Sequence, residues 1–249
     1  MKRIVSALIF LGVAAYIFIP LAEIDLPGDL DMFAPDPVTP NWAAIAAWPT
    51  IQAPEVEARP DPNRRITAIV LDDSGSMGDD IIAAKAAVVD ALAAMADTDR
   101  VAVVALNSGT VLAFSSVSEA RAALPGALER ILSNGRTPLT GAIKTAQKML
   151  EEEAAMVRGF GTFRLIVTTD GAANDGDALE LTVEGLASDT PIQLTTIGIG
   201  IRGQHVLRRD DLGSFVDVAN VSALAEALQS AVAENADFQA ITDFEDTGG

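Results

Sequence analysis

The sequence predicts an α/β protein with a doubly wound, mainly parallel central sheet and helices on both of its faces. Apolar runs rich in β-branched residues alternate with longer segments whose apolar residues recur at helical spacing. This alternation is typical of βαβ units around a parallel sheet. Because 49% of the 249 residues are hydrophobic and only 5% are aromatic, we expect one sizeable domain with an aliphatic core.

Six segments have the composition of strands, and the four longest have the apolar runs of buried strands. In chain order the six are 66–71, 100–106, 110–114, 163–169, 192–200 and 215–218, of which 110–114 is expected to be a hairpin partner. Four apolar stripes at helical spacing lie between or after these strands. The stripes are Ile81, Val88, Leu92 and Met95; Leu139, Ile143, Ala146 and Leu150; Leu179, Val183 and Leu186; and Val221, Leu224, Leu228 and Val232.

The amino terminus predicts a membrane anchor. Residues 4–22 carry no charge, and about 20 apolar residues are enough to span a bilayer as a helix. Lys2 and Arg3 precede this segment and acidic residues follow it, which places the rest of the chain on the periplasmic side of the cytoplasmic membrane. The alternative is a cleaved signal peptide, but a good small-x-small cleavage site is missing near the end of the segment.

Changes in composition divide the chain into four segments. The divisions are the anchor 1–22, a Pro-rich acidic spacer 23–65, the α/β domain 66–233 and an acidic tail 234–249. The spacer is expected to be stiff and partly extended because eight prolines interrupt it. Trp42 and Trp48 predict either a short helix at the membrane interface or on a neighbour, or a hydrophobic turn packed on the domain.

Charge and residue content exclude several functions. With 17 basic and 35 acidic residues the formal charge is -18, so nucleic acid would be repelled. The chain has no cysteine, no Walker phosphate-binding loop and no G-x-S-x-G nucleophile elbow. Its single histidine, His205, lies in a polar stretch and is interpreted as a surface residue. The sequence therefore predicts a protein that is not an enzyme.

Three loops carry oxygen ligands. The segment 71–78, LDDSGSMG, follows the first strand and places Asp72, Ser74 and Ser76 at alternate positions, so that their side chains can converge. Thr137 precedes a predicted helix, and Asp170 follows another strand. Ligands of open α/β sheets gather at the carboxyl ends of strands. Since hard oxygen donors favour Mg²⁺, Ca²⁺ or Mn²⁺, we expect a divalent cation, with Mg²⁺ first.

Further carboxylates crowd the first of these loops. Asp73, Asp79 and Asp80 could form a second metal site or select basic partners. The favoured interpretation makes Asp73 a surface residue and places Asp79 and Asp80 in the first turn of the following helix, where carboxylates complement the helix dipole.

The three loops together resemble the metal-ion-dependent adhesion site of the von Willebrand factor A (VWA) family, in its bacterial membrane-anchored type. The motifs DDSGSM, GRTPLTGA and TTDG match that family's three metal-binding segments in order and spacing, within a resemblance that covers about 66–232. The resemblance implies that Asp72, Ser74 and Ser76 bind from the first segment, Thr137 from the second and Asp170 from the third. Two departures are Arg136, where the family often has Gly, and a short stretch between the last two strands.

The resemblance also implies a partner. In the family, a Glu or Asp of a partner protein completes the coordination of the cation. We therefore expect a membrane-anchored recognition module, with an accessory or assembly role in the cell envelope. The alternative is a structural subunit of a membrane complex in which the metal only stabilises the loops.

Overall fold

A six-stranded sheet forms the centre of the domain. The computed structural model describes residues 36–52, 63–171 and 173–233. The strands are β1 (Arg65–Leu71), β2 (Arg100–Ala105), β3 (Gly109–Ser116), β4 (Thr162–Thr169), β5 (Gln193–Ile199) and β6 (Ser214–Val218). The α-helices are α1 (Trp42–Ala47), α2 (Asp80–Ala91), α3 (Val117–Leu128), α4 (Leu139–Met156), α5 (Gly176–Asp189) and α6 (Leu224–Ala233).

The strand order is β3-β2-β1-β4-β5-β6, and every pairing is parallel except that of β2 with β3. Strands β2 and β3 lie on one side of β1, and β4, β5 and β6 lie on its other side. The order therefore reverses between β1 and β4, and in doubly wound sheets this is where a crevice opens at the carboxyl ends of the strands. Asp72 and Asp170 directly follow these two strands.

Two apolar layers cover the two faces of the sheet. Helices α2, α3 and α6 pack on one face, together with alternate β1 residues such as Ile69 and Leu71. Helices α4 and α5 pack on the other, with Ile66, Ala68 and Val70 of the same strand. Because successive side chains of a strand point to opposite faces, β1 contributes to both layers and is almost wholly buried.

The predicted fold class and all six predicted strands are confirmed, with boundaries that differ by one or two residues. All residues of the four predicted apolar stripes are buried. One helix was not predicted: α3, which starts directly after β3. Its amino end has a capping box, in which the Ser116 hydroxyl accepts the Glu119 N–H and the Glu119 carboxylate accepts the Ser116 N–H.

The predicted spacer is folded onto the domain over part of its length. The Val38 N–H donates to Asp211 Oδ2 at 2.8 Å, and the Asn41 N–H donates to the Ser188 carbonyl at 2.8 Å. The ring of Trp48 packs edge-on against Phe163, with 4.8 Å between ring centroids. Tertiary contacts therefore hold residues 38–52 of the predicted stiff, partly extended spacer against the domain. Helix α1 is the short helix of one interpretation of the tryptophans, and Trp48 packs on the domain as in the other.

The predicted membrane segment 4–22 and the acidic tail 234–249 lie outside the described residues. Within the described ranges, no helix is long and apolar enough to cross a membrane.

Candidate metal centre

The candidate centre lies where β1 and β4 end side by side. The Thr168 hydroxyl joins the two strand ends, since it accepts the Asp72 N–H at 3.2 Å and donates to the Val70 carbonyl at 3.2 Å. Asp72 and Asp170 therefore start two loops from the same edge of the sheet, as the sequence predicted.

Asp72 holds the two loops together. Its Oδ1 accepts the Ser74 N–H at 2.8 Å, and its Oδ2 accepts the Asp170 N–H at 3.2 Å. The residue is fully buried. Each carboxylate oxygen has two lone pairs, so one backbone hydrogen bond per oxygen leaves acceptor capacity for a further ligand.

A chain of short contacts links the remaining side chains of the two loops. The hydroxyl oxygens of Ser74 and Ser76 lie 2.9 Å apart, and the Ser76 hydroxyl donates to Asp170 Oδ1 at 2.8 Å. Adjacent ligands of an octahedral Mg²⁺ with bonds of about 2.1 Å lie about 3.0 Å apart. The spacing of these three oxygens therefore fits the edges of such a coordination shell.

Thr137 lies on a third loop, just before α4. Its N–H donates to Asn174 Oδ1 at 2.6 Å and its carbonyl accepts the Asn174 N–H at 3.2 Å, so it is tied to the loop that follows β4. The residue is buried, and its hydroxyl makes no hydrogen bond within the described part of the chain. A hydroxyl with spare donor and acceptor capacity suits a metal ligand. No contact joins Thr137 directly to the other four candidate ligands among the described residues.

The surroundings of Asp170 disfavour the charged form of its carboxyl group. Burial raises its pKa above the ordinary value, the Ser76 hydrogen bond opposes this, and the carboxylates of Asp72 and Asp80 raise it further. Negative charge is thus concentrated in a half-buried place, and a bound cation would relieve that repulsion. The donor set therefore fits a hard divalent cation.

The loop that follows β1 is fixed to the loop that carries Thr137. The Gly75 N–H donates to the Gly135 carbonyl at 3.1 Å, and the Ser133 hydroxyl donates to the Ser74 carbonyl at 2.7 Å. A Cβ at position 75 would lie 3.3 Å from that carbonyl oxygen, so glycine allows the close approach of the two loops.

Asp73 corrects one prediction. It was interpreted as a surface residue, but it is fully buried and accepts hydrogen bonds from the turn between β2 and β3. The donors are the backbone and side chains of Asn107 and Ser108, at 2.6 to 3.3 Å. A buried carboxylate requires such partners. Asp80 lies in the first turn of α2, as expected, whereas Asp79 is the N-cap residue directly before it.

The position of His205 corrects a second prediction. It is half-buried rather than a surface residue, with its Nε2 3.3 Å from the carbonyl of Gly171, next to Asp170. Its Nδ1 accepts the Leu207 N–H at 3.1 Å, which makes Nε2 the protonated nitrogen and the donor to Gly171. Burial, and to a lesser extent the charge of Arg208, lower the pKa of His205 and favour this neutral form.

Sequence reasoning missed the residues that hold these loops in place, namely Asn107, Ser108 and Asn174. Asn107 and Ser108 follow β2 at the carboxyl edge of the sheet, so the strand-end argument that singled out Asp170 could have found them. The described residues contain no group of three or more His, Cys, Asp or Glu able to hold a metal. A cation at this centre would therefore depend on the hydroxyl ligands.

The strand order and the helices on both faces define a doubly wound α/β domain. Residues 67–172, which include all five candidate ligands, match the family model of the von Willebrand factor type A domain. This part of the chain is therefore similar to the von Willebrand factor type A (VWA) domain.

Solved structures agree with this fold. The chain is similar to a von Willebrand factor type A protein from Catenulispora acidiphila, with 23% identity, a TM-score of 0.58, and coverage of 69% of this chain and 42% of that one. It is similar to proximal thread matrix protein 1 from the mussel byssus, with 16% identity, a TM-score of 0.54, and coverage of 70% and 47%. It is also similar to the SpRpn10 VWA domain, with 16% identity, a TM-score of 0.53, and coverage of 67% and 93%.

At these identities the likeness shows the fold. The chain spans less than half the length of the first two structures. Comparison with curated proteins finds no match.

Proposed function

We propose that this VWA-like domain binds a divalent cation, Mg²⁺ first, through Asp72, Ser74, Ser76, Thr137 and Asp170, and thereby captures a carboxylate of a partner protein. The observation that carries the proposal is the convergence of oxygens from two strand-end loops: Ser74 and Ser76 lie 2.9 Å apart, and Ser76 lies 2.8 Å from Asp170. Thr137 adds a hydroxyl that no hydrogen bond within the described residues occupies.

The chemistry of the donors favours binding over hydrolysis. Three of the five proposed ligands are neutral hydroxyls and only two are carboxylates, so a bound cation stays electrophilic and retains positions for water or a partner oxygen. The two carboxylates of Asp72 and Asp170 are held by backbone N–H groups or by Ser76. They are thereby positioned as ligands, and a partner Asp or Glu would complete the site.

The surface beside the site suits a protein partner. Leu132 and Ile82 present exposed apolar side chains, which are 66% and 67% exposed. Leu132 precedes Ser133 of the site, and Lys85 of α2 donates to the Ile131 carbonyl at 3.0 Å, which brings the two elements together. Exposed apolar side chains next to polar anchor points are typical of protein interfaces. They support a protein rather than a small anion as the partner.

Long-range electrostatics oppose an acidic partner, because the chain has a formal charge of -18. Attraction would then arise only at short range, at the cation. Removal of the cation should therefore abolish binding rather than weaken it slightly.

We further propose that residues 4–22 anchor the chain in the cytoplasmic membrane and that the domain lies on the periplasmic side. In that setting the domain would serve as an accessory or assembly factor of the cell envelope. The support is the uncharged 19-residue segment with Lys2 and Arg3 before it.

The alternative is a structural subunit in which the cation only ties the loops together. Partner capture with and without chelator separates the two. The chain is immobilised from solubilised membranes in Mg²⁺, and bound proteins are compared with those retained in EDTA and by the Asp170→Asn variant. A recognition site releases its partner in EDTA while the chain stays folded by circular dichroism. Retention of the same partner in EDTA and by Asp170→Asn would establish the structural alternative.

A further inference from the structure

Asn107 lies outside the proposed ligand set, yet it contacts two of the loops that form the site. Its backbone N–H donates to Asp73 Oδ1 at 2.7 Å, and its side-chain Nδ2 lies 3.3 Å from the same oxygen. Asp73 is fully buried and directly follows the proposed ligand Asp72. Asn107 is therefore fixed to the first loop through a carboxylate that the proposed cation chemistry does not use.

The same amide also holds the loop that carries Thr137. Asn107 Nδ2 donates to the Arg136 carbonyl at 2.8 Å, one residue before Thr137. The carbonyl of Asp73 accepts the Asn134 N–H at 2.9 Å, which adds a second link between the two loops.

Gly135 allows this close approach. Its φ is +73°, and a Cβ at this position would lie 2.4 Å from Asn107 Oδ1. Such a distance is far below contact, so any other residue would displace the Asn107 side chain or the loop. The loop thus fits around Asn107 in a conformation that favours glycine.

We propose that Asn107 is a positioning residue that sets the place of Thr137 relative to Asp72, Ser74 and Ser76. Thr137 is fixed on one side by Asn174, which accepts its N–H at 2.6 Å. On the other side it is fixed through the Arg136 carbonyl by Asn107. Because ligand geometry must be held within a fraction of an ångström, loss of one of two supports should weaken cation binding. This inference rests on the proposed cation site.

The test compares two asparagines by titration of Mg²⁺ into the 249-residue chain in detergent. Asn107→Ala should raise the Mg²⁺ dissociation constant about tenfold, within the range observed for residues that orient metal ligands. Asn134→Ala is the matched control, because within the described residues its side chain donates only to the Leu132 carbonyl, at 3.2 Å. It should bind Mg²⁺ as wild type does. Affinity of Asn107→Ala equal to that of Asn134→Ala would overturn the inference.

A double-mutant cycle separates positioning from general loosening of the fold. If Asn107 acts through Thr137, Asn107→Ala should cause no further loss of affinity in a Thr137→Ala background. An equal loss in both backgrounds would show that Asn107 acts elsewhere and would contradict the proposal. Thermal unfolding in EDTA supplies a second readout, in which Asn107→Ala should stay folded at the temperature of the titration.

If Asn107→Ala does not fold, Gly135→Ala replaces it in the same cycle, because it disturbs the same contact from the other loop. The outcome also separates this inference from the proposed function. Failure of wild type to bind Mg²⁺ would contradict both. Binding by wild type that is lost in Asp72→Ala but unchanged in Asn107→Ala would contradict the positioning role alone.

Discussion

The Ser76 hydroxyl donates to Asp170 Oδ1 at 2.8 Å, although the two residues are 94 positions apart and follow different strands. The contact exists because β1 and β4 are parallel neighbours whose carboxyl ends coincide. The contact places the Ser76 hydroxyl beside the Asp170 carboxylate, at the point where the strand order reverses between β1 and β4. Ligands of doubly wound folds usually bind at this point.

Thr137 should control affinity without controlling the fold. Thr137→Ala removes a hydroxyl that bonds to nothing within the described residues, while its backbone bonds to Asn174 remain. We expect unfolding in EDTA to stay near wild type and affinity for the partner in Mg²⁺ to fall at least tenfold, about 1.4 kcal/mol. Thr137→Ser keeps the hydroxyl and should retain most of the affinity. Wild-type affinity in Thr137→Ala would remove Thr137 from the site.

The packed part of the predicted spacer should contribute to stability. Trp48→Ala removes the edge-on contact with Phe163 and should lower the free energy of unfolding by about 2 kcal/mol. Trp42→Ala is the matched control, because Trp42 is 73% exposed, and it should change stability by less than about 0.5 kcal/mol. Urea denaturation measures both. Equal effects of the two variants would show that residues 38–52 do not stabilise the domain.

The anchoring of Val38 should depend on pH. Hydrogen bonds from Arg209 lower the pKa of Asp211, whose Oδ2 also accepts the Val38 N–H. A carboxyl group with a lowered folded-state pKa stabilises the protein above its unfolded pKa of about 4, and this stabilisation disappears as the pH falls through the folded-state value.

Asp211→Asn should therefore cost about 1 to 2 kcal/mol at pH 7, and the difference from wild type should shrink towards pH 3. Asp210→Asn serves as the control, because Asp210 is exposed and makes no ion pair within the described residues. Urea denaturation of wild type and of both variants at pH 7 and at pH 3 measures these differences in the free energy of unfolding. A difference between Asp211→Asn and wild type that is constant with pH would disprove the assignment.

The topology of the chain can be tested with a reporter. An alkaline phosphatase fused after Gly249 should be active, since residues 4–22 with Lys2 and Arg3 before them favour export of the domain. Replacement of Lys2 and Arg3 by Glu should reduce the activity. A fluorescent reporter that folds only in the cytoplasm, if active at the same position, would reverse the predicted orientation.

The sheet could be predicted because its strands are buried on both faces. Strands such as β1 then read as continuous β-branched and aliphatic runs, and their carboxyl ends identify where ligands gather. Helix α3 was missed because Pro125 and Gly126 interrupt its pattern, although the capping box of Ser116 and Glu119 was readable in the sequence.

Long-range contacts could not be read from the sequence in the same way. The burial of Asp73 depends on Asn107 and Ser108, 34 and 35 residues away. The docking of Val38 depends on Asp211, 173 residues away. Local composition does not show which distant residues will meet, so Asp73 was interpreted as a surface residue.

Calorimetric titration of Mg²⁺ into wild type, Asp72→Ala and Asp170→Ala tests the proposed cation site most directly. Asp72 accepts hydrogen bonds from both loops, and Asp170 accepts the Ser76 hydroxyl. Either substitution removes one of the two proposed carboxylate ligands. We expect one cation per chain in wild type and no measurable binding in either variant, while Ser74→Ala weakens binding without abolishing it. Binding of Mg²⁺ by both aspartate variants with the affinity of wild type would contradict the site.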